Sequence, residues 1–184
     1  MMLPLVSLVF AMDFDTAVAE LRTPATWCAG AAALAAMRDE RALAALLDAY
    51  ARPIEASKVC LLEAVEQLAR GGAVEALLSN GDVARALRAM SLCADDRWIP
   101  LLEAEVGLTR ATEAALDVMR LQRRTEAWEA ACVRLLNHPA PDVRVAVAAL
   151  LAHRSATREA VSARLQIETD IAVIAALNAA LAPA

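Results

Sequence analysis

Few side chains in this sequence have the type and spacing that chemistry requires. There are two histidines, His138 and His153. Either imidazole could act as a general acid or base near neutral pH, but no serine or cysteine is spaced to form a nucleophilic pair with it. His138 precedes Pro139 in a turn, and His153 falls at the end of a helix, where a cation is mildly favoured. Asp95 and Asp96 could serve as metal ligands or as a carboxylate pair. They also match Asp39 and Glu40, and adjacent acids at a helix start are explained by the helix dipole. Arg120, Arg123 and Arg124 form the densest basic cluster, which could contact an anion or a partner's carboxylates. No phosphate-cradling glycine loop and no H-E-x-x-H text is present. We therefore expect no catalytic residue, no metal ligand and no cofactor.

Cys28, Cys60, Cys93 and Cys132 are each more than thirty residues from the next. That spacing makes neither a C-x-x-C pair nor a zinc cluster. The expectation is four buried, reduced thiols acting as small hydrophobes in a cytoplasmic protein.

These residues must be carried by helices. Hydrophobic residues make up 59% of the 184 positions while aromatics supply 3%, so alanine dominates the apolar content. Alanine-rich, aromatic-poor composition favours closely packed helices over sheet. Residues 1–109 carry nine basic and fifteen acidic side chains, and residues 110–184 carry nine and eight. Neither part has the basic excess that counterion release from nucleic acid exploits. The run MMLPLVSLVFAM is too short to span a bilayer. It also lacks the basic residue expected ahead of a signal peptide's apolar core, although Val9 and Ala11 would tolerate cleavage. Met12 could be the true start, since MDFDTAVAELR reads as a capped helix.

One stretch, NHPAPDVRVAVAALLAH (137–153), shows the organisation. Val143, Val147 and Leu150 fall at i, i+4 and i+7, one face of a helix. Pro139 and Pro141 end what precedes, and Asp142 suits a helix N-terminus. The same face recurs as Trp27/Ala31/Leu34, Lys58/Leu62/Val65, Val83/Leu87/Met90 and Thr112/Leu116/Met119. The third members are 31, 25, 29 and 31 residues apart, a period typical of stacked supersecondary units. A second helix follows each first one, anchored by Leu43/Leu46/Leu47/Tyr50, Val74/Leu77/Leu78, Ile99/Leu102/Val106 and Trp128/Cys132/Leu135. In the fifth unit HRSAT inserts one or two residues before Val161 and Leu165 resume the face. Phe14/Val18/Leu21 and the segment 170–182 form single helices that would cap the ends.

The text PDVRVAVAAL resembles the first helix of bacterial HEAT-like repeats, and DVARALRAM (82–90) is a looser copy. The resemblance covers about residues 24–182. It implies an all-α, armadillo-like fold: a right-handed α-solenoid of about five HEAT-like helix pairs with single capping helices at both ends. Residues 1–23 would be an N-terminal segment and capping helix, 24–169 the repeats and 170–184 the C-terminal cap, one domain overall. Such arrays serve scaffolds, adaptors, lyase-like enzymes and some DNA glycosylases, so architecture does not fix activity.

Second helices of such arrays resemble those that line the concave face. Trp98 aligns one position before the apolar anchor, so part of its ring should reach the surface, with Leu101 and Glu105 on the same side at i+3 and i+7. The expected function is a non-catalytic protein-protein interaction module, a scaffold, adaptor, assembly factor or immunity-type binder. Its partner would be another protein held through Asp48, Trp98, Leu101, Glu105 and Arg134, without nucleic acid or membrane. Arg120, Arg123 and Arg124 form a second candidate contact. The rival class is a HEAT-type enzyme such as a DNA glycosylase, and the third is a homo-oligomer built on alanine-rich helix faces.

Overall fold

The computed structural model describes residues 12–53, 58–107 and 111–183. The apolar run over 1–11, with its readings as a leader or a dispensable start, lies outside the described residues. Every regular element among the described residues is helical. No helix among them is long and apolar enough to cross a membrane. The chain divides into two compact units, one running to Cys93 and one beginning at Ala94. The division falls inside the third expected helix pair.

The first unit holds α1 (Phe14–Glu20), α2 (Trp27–Met37), α3 (Glu40–Tyr50), α4 (Val59–Leu68), α5 (Val74–Ser79) and α6 (Val83–Leu92). Asp13, Asp39 and Asp82 cap α1, α3 and α6, each side chain accepting a backbone N–H from the first turn. The expected first helices lie side by side, α2 on α4 and α4 on α6, and α3 packs on α5 and α6. Trp27, Ala31 and Leu34 are buried as the periodicity predicts.

α4 departs from the predicted face. Its buried positions are Leu61, Ala64, Val65 and Leu68, whereas Leu62 is half-buried and Lys58 sits ahead of the helix. The Lys58 ammonium donates to the carbonyls of Tyr50 and Arg52 at 2.7 and 2.6 Å. A cation there satisfies carbonyls that the end of α3 leaves open. Gly72, with φ of 97°, kinks the chain between α4 and α5, and Gly81, with φ of 80°, ends α5. Asp82 N–H donates to the Leu77 carbonyl and Gly81 N–H to that of Leu78, the paired bonds of a Schellman stop. Gly30 has a different use: a Cβ there would come within 2.6 Å of the Ala17 carbonyl oxygen, so its absence lets α1 close onto α2.

The thiol expectation is corrected in this unit. Cys28 on α2 and Cys60 on α4 are joined in a disulfide, with Cα atoms 5.5 Å apart. Cys28 is exposed and Cys60 half-buried, so neither is a core thiol. α2 packs directly on α4, and this contact brings the two cysteines together across a sequence separation of 32. Cys93 and Cys132 are buried thiols outside the disulfide, as expected.

The second unit holds α7 (Trp98–Val106), α8 (Thr112–Leu121), α9 (Glu126–Leu135), α10 (Pro141–Leu150), α11 (Arg158–Ile167) and α12 (Ile171–Leu181). α7 packs on α8 and α9, α8 and α9 each pack on α10, and α12 packs on α10 and α11. Val143, Val147 and Leu150 are buried. The extra residues in HRSAT form a single 3-10 turn over Ser155–Thr157 before α11 begins. Asp170 caps α12 through the N–H groups of Ala172 and Val173.

Candidate functional site

The residues singled out as protein-binding on second helices are placed unequally. Asp48 lies in the first unit and is exposed on α3. It accepts from Arg85 Nε at 3.2 Å and Nη2 at 2.9 Å, a forked pair. The others lie in the second unit. Arg134 on α9 is exposed and donates Nε and Nη2 to the two carboxylate oxygens of Glu103 on α7, both at 2.7 Å. Leu101 is half-buried.

Trp98 is fully buried, which corrects the expectation that its ring reaches the surface. Glu105 is also buried, 8% exposed, and among the described residues its Oε2 has no hydrogen-bond partner. The reason is the width of the contact. A helix packed on one neighbour buries a stripe along i, i+3, i+4 and i+7. α7 is held by both α8 and α9, so the adjacent row Trp98, Leu102 and Glu105 is covered as well. The Arg97 guanidinium lies 5.3 Å from the centroid of the Trp98 ring.

The arginine cluster is split by its own partners. Arg120 is paired with Asp117 at 2.6 Å, Arg124 lies 6.0 Å from the Trp128 ring centroid, and Arg123 is exposed in the turn that follows α8. The Trp128 indole donates to the Met119 carbonyl at 2.8 Å, and the Arg154 guanidinium stands 5.8 Å from its ring while pairing with Glu129. Burial, with Glu103 adding its negative charge, pushes the Cys132 thiol up to about 12, which disfavours the thiolate. Asp95 and Asp96 hold local structure, accepting from the Arg97 N–H and the Thr125 hydroxyl, both at 3.1 Å. His153 is an exposed turn residue with φ of 61°.

Sequence reasoning passed over a groove between two first helices, α8 and α10. It consists of two adjoining hollows of about 480 and 310 Å³ that share Thr112, Glu113, Asp142 and Val143. One extends to Val106, Ala111, His138 and Ala140, the other to Leu116, Asp117, Arg120 and Ala146. The floor is apolar because Leu116 and Val143 come from the core rows of their helices. The rim is acidic because both helices open with a carboxylate in the first turn, Glu113 on α8 and Asp142 on α10. Both are exposed, and among the described residues neither forms an ion pair. Thr112 Oγ1 donates to the Val106 carbonyl at 3.0 Å, tying the start of α8 to the end of α7. His138 Nδ1 accepts the Ala140 N–H at 3.1 Å, which puts the proton of the neutral ring on Nε2.

The sequence carried one signal for this groove. Glu113 and Asp117 are spaced i, i+4 on a first helix, so they share a face. The near-neutral charge of residues 110–184 hid it, because the arginines that balance those acids are spent elsewhere: Arg144 and Arg164 on Glu168, Arg154 on Glu129, Arg134 on Glu103.

No family model, curated protein or solved structure matches this chain.

Proposed function

We propose that this chain is a non-catalytic protein-binding module of the HEAT-like class, acting as a scaffold, adaptor, assembly factor or immunity-type binder. In this reading its helix pairs continue as a solenoid. Side-by-side packing of α2, α4 and α6 in one unit, and of α8, α10 and α12 in the other, supports it. The observation that carries the functional part is the groove between α8 and α10, a preformed concavity with an apolar floor and a polar rim. A surface already shaped needs little ordering when a partner binds. This moves the binding face from Trp98, Glu105 and the second helices to the first helices of the second unit.

The test is site-specific photo-crosslinking in the native cell. A benzophenone side chain replaces Ala114, which lines the groove, or Ser162 on α11. A discrete protein captured from position 114 and not from 162 supports the reading. Capture from neither position overturns it.

The compartment carries two readings. The cysteine spacing, read as reduced thiols, suggests the cytoplasm. The Cys28–Cys60 disulfide favours an oxidising compartment, because such bonds persist there and are reduced in the cytosol. Counting thiols in protein trapped with iodoacetamide at lysis separates them: two alkylated cysteines mean an oxidising setting, four mean the cytoplasm.

A further inference from the structure

We propose that the α8–α10 groove seats a cationic peptide segment of the partner protein, and this rests on the protein-binding reading above. Lys or Arg side chains of that segment pair with Glu113 and Asp142, while neighbouring apolar side chains lie on Leu116, Val143 and Ala146.

Three features of the groove select this occupant. Among the described residues its charge is one-sided: Glu113, Asp117 and Asp142 line it, and the one lining guanidinium among them, Arg120, already holds Asp117 at 2.6 Å. A phosphate or an acidic peptide would meet uncompensated carboxylates. Its length exceeds what a lone cation fills, since two adjoining hollows of about 480 and 310 Å³ share one wall. Among the described residues no cluster of His, Cys, Asp or Glu is suited to hold a metal ion. Its floor is apolar from end to end, from Val106 through Val143 to Leu116 and Ala146. Apolar floor with acidic rim complements an alternation of basic and apolar side chains, the pattern by which grooves recognise peptide segments. Charge would set partner choice and encounter rate, and the floor would set residence time.

The experiment pans a phage-displayed library of random peptides, about twelve residues long to match the ~18 Å reach of a helical segment, on the full chain. Enriched peptides are then titrated by fluorescence polarisation. The expected peptides carry Lys or Arg beside apolar residues. Their affinity should fall about tenfold in Glu113→Gln/Asp142→Asn, and fall with rising salt. It should be unchanged in Glu75→Gln/Glu159→Gln, which removes two acids elsewhere, and lost in Ala146→Trp, which fills the groove. Cationic peptides that bind Glu113→Gln/Asp142→Asn undiminished would reflect the net charge of -5 alone and overturn the proposal. Enriched peptides that are uncharged yet lost on Ala146→Trp would overturn the cationic occupant and leave the groove a protein-binding site. If no enriched peptide responds to Ala146→Trp, the groove is not the binding site and both readings fall.

Discussion

Arg144 and Glu168 meet as two forks. Arg144 Nε donates to one Glu168 oxygen at 2.8 Å and Nη2 to the other at 3.0 Å, with the Glu168 side chain 1% exposed. The remaining capacity of both groups is used. Arg144 Nη1 donates to the carbonyls of His138 and Pro139, both at 2.8 Å. Glu168 accepts from Arg164 and from the N–H groups of Thr169 and Asp170. The cluster ties α10 to the turn between α11 and α12, which explains how the final helix is fixed in place. Removing one partner strands the other charge out of water, so Arg144→Met should destabilise the chain by about 3 to 5 kcal/mol, read from urea unfolding.

The same cluster sets an acid limit. The Arg144 guanidinium, helped by the Asp170 N–H, holds the Glu168 carboxyl well below the ordinary 4.5. The unfolded chain binds that proton more readily than the folded one. The stabilisation is therefore complete above the ordinary value and is lost as pH falls through the lower, folded one. Melting temperatures of wild type and Glu168→Gln should differ at pH 7 and converge as pH drops below about 4. A gap that stays constant down to pH 2 would refute the pairing.

The surface disulfide should act as a staple. Linking residues 32 apart restricts the unfolded chain, and on the loop-entropy account this is worth roughly 3 to 4 kcal/mol. Cys28→Ser/Cys60→Ser should lower stability by about that amount, or less where the reduced chain keeps residual structure. The native oxidised protein should show no thiol reactive to Ellman's reagent, because Cys93 and Cys132 are buried. Denaturation without reductant should release both of those thiols.

Gly30 tests the contact between α1 and α2. Alanine is worth up to ~1 kcal/mol over glycine inside a helix. Here its Cβ would stand 2.6 Å from the Ala17 carbonyl oxygen and 2.9 Å from Glu20 Cβ, both on the facing helix. Backbone cannot yield as a flexible side chain can, so overpacking wins, and Gly30→Ala should cost about 1 to 3 kcal/mol net. Increased stability would mean α1 is not held against α2.

Helix faces were legible where apolar residues alone decide them. Trp27/Ala31/Leu34 and Val143/Val147/Leu150 are buried as spaced. The reading failed where a polar residue imitates a face position or where a helix has two neighbours. Lys58 fell in register with apolar anchors, yet it reaches back to the α3 carbonyls. Trp98 fell one place off the anchor row, and a second packing partner buried it. The Cys28–Cys60 contact was out of reach for another reason. Periodicity gives the face of each helix but does not say which residues of neighbouring helices touch, and the groove acids were masked by arginines such as Arg144, Arg154 and Arg134, whose partners lie 24 to 31 residues away.

Glu105 brings the fold and the site into one experiment. It was expected to contact a partner, but it is buried on α7 and among the described residues its Oε2 has no donor. A buried acceptor without a donor costs about 1 to 3 kcal/mol of desolvation. Leucine is of similar reach and buries favourably beside Leu102 and Val106, so Glu105→Leu should stabilise the chain by about 1 to 2 kcal/mol in urea unfolding. If Glu105 does not touch the partner, peptide binding in the α8–α10 groove should stay at the wild-type level in the same variant. Lower stability would mean that Glu105 has a donor in solution. Lost binding at unchanged stability would return the interaction face to α7.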